Sequence, residues 1–97
     1  MDVRDVHDLV RAGRVVKAPT YHAGRHGFSF LELLLALERC YHVARDDRRG
    51  PDSEASLHPG GWYALAAIPH HRRLRIEFDV DHDRDGSLIL VVTAYTV

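Results

Sequence analysis

Leu74-Arg75-Ile76-Glu77-Phe78-Asp79-Val80-Asp81 carries an apolar residue at every second position and a charged one between, the period of a strand with one buried and one wet face. Asp85-Gly86 follows as a tight-turn signal, and Leu88-Ile89-Leu90-Val91-Val92 is then apolar with no alternation. The pair predicts a hairpin whose second strand, Leu88 to Val97, is covered on both faces and so lies central in an antiparallel sheet.

Working back from that hairpin, Trp62 to Ile68 reads as a strand between the Gly60-Gly61 turn signal and Pro69, and Tyr41 to Arg45 as another with aromatic and β-branched character. Asp46 to Gly61 between them is a polar loop, long for a domain of this size, and a candidate partner-contacting segment. Further back, Phe28-Ser29-Phe30-Leu31-Glu32 is a capping box: Ser29 caps a helix and Glu32 reaches back to it. The helix it opens, Phe30 to about Cys40, is apolar on nearly every side and should be the main helical wall of the core. Val3, Val6, Leu9 and Val10 recur at helical spacing between an Asp2 N-cap and a Gly13 stop, which predicts an amphipathic helix over Asp2 to Ala12. Arg14 to Ala18 reads as a short extended connection closed by Pro19. The expected fold is α+β, with two N-terminal helices packed on a four-stranded antiparallel sheet in a single domain spanning 1–97.

The composition agrees with one packed core: 97 residues, 45% hydrophobic and 28% charged. A formal net charge of −1 gives no global positive field, so any nucleic-acid site has to be local. Lys17 is the sole lysine among 13 basic residues, and there are 8 histidines. Cys40 is the lone cysteine, which excludes an internal disulfide and fits a reducing compartment. Met1-Asp2-Val3-Arg4-Asp5 alternates charge where a signal peptide would begin its apolar region, and no apolar run is long enough to span a bilayer. A cytoplasmic location with no membrane partner is expected.

Three clusters carry candidate chemistry. Asp81-His82-Asp83-Arg84-Asp85-Gly86 opens like a calcium loop, but Val92 occupies the twelfth position, where a bidentate Glu is needed, and strands flank it. A solvated hairpin is the favoured reading. His70-His71-Arg72-Arg73 sits in a turn between strands, where adjacent histidines on extended backbone diverge and make a poor chelating pair. Tyr21-His22-Ala23-Gly24-Arg25-His26-Gly27 packs two imidazoles, a guanidinium and a phenol into the approach to the central helix. If helical, His22 and His26 share a face. Zinc would need ligands from elsewhere in the chain, and no metal or other cofactor is expected. Two readings stay open: a polar cover over a helix end, or acid/base chemistry on a phosphodiester, in which histidines titrating near neutrality move protons and Arg25 offsets phosphate charge.

His26-Gly27-Phe28-Ser29-Phe30-x-Glu32 resembles the "KHGVSF-E" signature of BrnT-type toxins, small ribonucleases of the RelE superfamily that pair with an antitoxin. The opening helix ending in Gly13, the His22-Ala23 pair and the ending Val91-Val92-Thr93-Ala94-Tyr95 look like a related family of uncharacterised domains with the same core. The resemblance covers nearly the whole chain in element order. It implies a curved antiparallel sheet flanked by helices that binds RNA and assists attack of the 2′-hydroxyl on the neighbouring phosphate. Carried over, it makes His26 the signature histidine, with His22 as the second acid/base candidate. Tyr95, near a last-strand position where BrnT proteins carry arginine, becomes a stacking or proton-transfer group. Arg25 and Arg75 become phosphate contacts, Arg75 because the alternation turns it to the open face of the sheet. The implied partners are RNA and a cognate antitoxin. The alternative within the same fold is a non-catalytic protein-binding module or homodimer.

Overall fold

A computed structural model describes residues 1–45, 61–69 and 73–97. Two expected features, the polar loop up to residue 60 and the His70-His71-Arg72 turn, lie outside the described residues.

The first helix, α1, is Val3–Arg11, capped reciprocally by the Asp2 side chain and Asp5. The backbone N–H of Asp5 holds the Asp2 carboxyl below the usual carboxylate range. Gly13 follows with φ 71°, the left-handed geometry that releases the chain from a helix. The second helix, α2, is Phe30–Glu38, with Ser29 and Glu32 forming the expected capping box at 3.2 and 3.1 Å. It ends two residues before Cys40. Leu33, Ala36 and Leu37 are its buried residues, whereas Leu31 and Leu35 stay 65% and 49% exposed. The helix is therefore a one-sided wall and is not enclosed as its composition suggested.

The sheet corrects the strand count. The extended connection after α1 is a strand, β1 (Val15–Lys17), and it pairs parallel to the last strand. With β2 (His42–Arg45), β3 (Trp62–Ala67), β4 (Arg73–Asp83) and β5 (Gly86–Thr96) it makes a five-stranded mixed sheet in the order β1-β5-β4-β3-β2. Three residues give too little pattern to separate a strand from a linker. The partner edge of β5 supplies the order, through Ile89 N–H donating to the Arg14 carbonyl and Ala18 N–H to the Val91 carbonyl. Arg14 adds a side-chain tie, donating to Asp83 Oδ1 at 2.6 Å and to the Ser87 carbonyl at 3.2 Å, and this guanidinium holds the Asp83 carboxyl below its ordinary range. As expected, β5 is interior, although the middle position belongs to β4.

Both helices pack on one face of this sheet. Val6, Leu33, Leu37, Leu74, Ile76, Phe78, Ile89 and Val91 are the large side chains at its centre, all at or near complete burial. Along β4 the period-two pattern holds: Leu74, Ile76 and Phe78 are buried and Arg75 and Glu77 turn the other way. On β5 it does not hold, because a register shift lies between the pairs Glu77↔Thr93 and Phe78↔Val91, which leaves Val92 unmatched. This β-bulge changes the phase of the strand. Ile89 and Val91 face the core before it, and Ala94 faces the core after it. Thr93 and Tyr95, which share the parity of Val91 in sequence, are thereby transferred to the open face beside Glu77 and Arg75. Among the described residues no helix is long and apolar enough to cross a membrane.

Candidate functional site

The open face of the sheet carries a connected group of polar and aromatic side chains. Tyr95 on β5 lies directly opposite Arg75 on β4, and Glu77 lies between Thr93 on β5 and Tyr63 on β3. The Tyr95 hydroxyl donates to Glu77 Oε1 at 2.9 Å, and Arg75 Nε donates to the same oxygen at 3.3 Å. The Arg75 guanidinium also lies over the Tyr63 ring, 3.8 Å from its centroid, a cation–π contact. At the β2 edge, His42 Nε2 is 3.3 Å from the Tyr63 hydroxyl. Arg75 and Glu77 are 14% and 19% exposed at their side chains, so this centre is mostly covered.

The two histidines approach from the other side. Beyond β1 the chain keeps following the β5 edge, and His22 N–H donates to the carbonyl of the bulged residue Val92 at 2.9 Å. A 3₁₀ helix over Ala23–His26 follows, with Ala23 buried as its anchor and Gly27 closing it at φ 85°. One turn of tight helix brings the rings of His22 and His26 to 6.2 Å between centroids. His26 in turn stands 6.3 Å from the Tyr95 ring. Arg25, between the histidines in the same turn, is exposed.

His22 Nδ1 is 2.8 Å from the Thr20 carbonyl. A carbonyl only accepts, so Nδ1 carries the proton, and in the neutral ring the basic lone pair is then on Nε2. The His26 ring makes aromatic contacts but no side-chain hydrogen bond among the described residues and is exposed to solvent. The pair thus offers one imidazole with a fixed tautomer and one, His26, packed between the His22 and Tyr95 rings.

No protein-family model, curated protein or solved structure matches this chain. The chemistry of the cluster therefore rests on its own groups. Of the residues picked from the sequence, His22, His26 and Tyr95 form one contiguous set, Arg25 lies in the same turn, and Arg75 joins through Glu77. Glu77, Tyr63 and His42 were missed. Glu77 was legible as the second wet-face residue after Arg75, whereas the others needed the register of the sheet. Thr93 is 4% exposed, and its Oγ1 is the buried side-chain polar atom without a hydrogen-bond partner among the described residues.

No group of three or more His, Cys, Asp or Glu side chains able to hold a metal occurs among the described residues. The hairpin carboxylate Asp83 is engaged by Arg14 and by the backbone N–H of Asp85. A separate concavity of about 460 Å³, lined by Met1, Arg45, Trp62, Val80, His82 and Ser87, opens on the helix side of the sheet, and Arg45 lies over the Trp62 ring there.

Proposed function

We propose that this domain is a toxin-type ribonuclease of the RelE/BrnT kind that cleaves RNA without a metal. The observation that carries the proposal is the convergence of His22, His26 and Tyr95 at the bulge of β5, with ring centroids about one phosphodiester apart, at 6.2 and 6.3 Å. Cleavage of this type needs a base at the 2′-hydroxyl and an acid at the departing 5′-oxygen, and two imidazoles on either side of a phosphate meet that requirement. His22, with Nε2 as its basic atom, takes the 2′-hydroxyl proton. The 2′-oxygen attacks phosphorus, the bond to the 5′-oxygen breaks, and His26 as imidazolium returns a proton to it. The products are a 2′,3′-cyclic phosphate and a free 5′-hydroxyl. Arg25 neutralises the phosphate, and Tyr95 stacks on or hydrogen-bonds to the adjoining nucleotide. Arg75, opposite Tyr95 on the open face, is the second phosphate contact in this reading.

The test is cleavage of RNA by the purified chain, freed of any bound antitoxin, in the presence of a chelator, together with growth arrest on expression. His22→Ala and His26→Ala should each lower cleavage by about a hundredfold or more, the usual scale for loss of a general acid or base. An inactive wild-type chain, indistinguishable from His26→Ala in both assays, overturns the proposal.

A second reading has its own observation. Leu31 and Leu35, one turn apart on α2, are exposed on the side away from the sheet, and the net charge is −1. These features suit a non-catalytic protein-binding module or homodimer. RNA binding that weakens steeply with salt favours the ribonuclease, and its absence favours the module.

A further inference from the structure

Glu77 lies at the middle of the open face, and one of its carboxylate oxygens accepts from both Tyr95 Oη at 2.9 Å and Arg75 Nε at 3.3 Å. The register aligns the members of this group: Tyr95 is opposite Arg75, Tyr63 is opposite Glu77, and the Arg75 guanidinium covers the Tyr63 ring. Side chains from three adjacent strands therefore fix one another. A tyrosine on a strand face would otherwise sample several rotamers, and ordering it only when substrate arrives would weaken binding or catalysis.

We propose that Glu77 is the positioning residue of this site: its carboxylate, steadied by Arg75, holds the Tyr95 hydroxyl in place and keeps the phenol protonated beside His26. A phenolate at the same place would set one negative oxygen against another, so the pair favours the neutral phenol. Tyr95 then meets a bound strand as a fixed ring and a hydrogen-bond donor, and the base role stays with the histidines. Among the described residues, the charged and titratable groups around the pair include Arg75 on β4, Tyr63 and His42 on β3 and β2, and His26 and His22 on the 3₁₀ turn. The catalytic consequence rests on the ribonuclease proposal, while the coupling of Glu77 to Tyr95 can be measured without it.

The experiment compares wild type, Glu77→Gln, Tyr95→Phe and the double variant by NMR titration of ring-labelled tyrosines and by RNA cleavage. Glu77→Gln should move the Tyr95 titration to lower pH and leave that of Tyr21 in place. It should also lower kcat about tenfold with KM little changed, the scale of one charge-assisted hydrogen bond, and have no further effect once Tyr95 is Phe. An unmoved Tyr95 titration overturns the proposal, as does an equal loss of kcat in the Tyr95 and Phe backgrounds. A shifted titration in a chain whose wild type cleaves no RNA upholds the coupling and overturns the ribonuclease.

Discussion

Thr93 and Cys40 are buried residues whose polar atoms behave in opposite ways. The Thr93 hydroxyl is buried with no partner among the described residues, a state that costs a desolvation penalty of about 1–3 kcal/mol. Thr93→Val keeps the shape and removes the penalty, so the variant should unfold at higher temperature, and its melting curve is the check. If the same variant loses RNA cleavage while gaining stability, the hydroxyl is retained for the site opposite Glu77. The Cys40 thiol is pushed up from 9.0 to about 11 by burial. Below pH 9 it is neutral whether the chain is folded or not, and that contribution to stability is fully present. Between pH 9 and about 11 the unfolded chain ionises first, so stability falls. Alkylation of Cys40 at pH 8 should accordingly be slow in the native protein and fast in urea, as followed by mass spectrometry.

The elements are punctuated by local chemistry that neighbouring side chains complete. Ser29 and Glu32 tie down the N-terminal turn of α2, so Ser29→Ala should lower unfolding free energy by about 1 kcal/mol in urea titrations. The same cap fixes where the approach from the 3₁₀ turn ends, since only Gly27 and Phe28 separate His26 from Ser29. On β5 a single unmatched residue, Val92, decides which way Thr93 and Tyr95 face. The bulge also presents the Val92 carbonyl to His22 N–H, so one irregularity both turns Tyr95 outward and anchors the histidine turn next to it. Bulges are commonly found where a strand has to re-aim a side chain.

For the molecule as a whole, the two faces of the sheet are divided between an apolar core and a polar, aromatic cluster. The helix side is a continuous apolar core with Phe78 as its largest fully buried side chain. Phe78→Ala should cost about 3–5 kcal/mol and shift the whole unfolding transition, seen as one step by fluorescence and circular dichroism alike. The other side is free to carry Arg75, Glu77, Tyr63 and Tyr95 because the core does not need it. A good part of this was determined by the sequence alone. The capping boxes at Asp2 and Ser29, the Gly13 stop and the alternation of β4 are local signals, set by hydrogen bonds and periodicities within a few residues. They correctly assigned both helices, the hairpin and the outward turn of Arg75. The placement of β1 parallel to β5 depended on tertiary structure, since three residues become a strand only when another strand offers its edge. So did the meeting of His26 with Tyr95: the phase change at Val92 arises because the span Leu74 to Asp83 of β4 pairs with a span of β5, Gly86 to Thr96, that is one residue longer. That mismatch is a property of the pair and cannot be read from either strand.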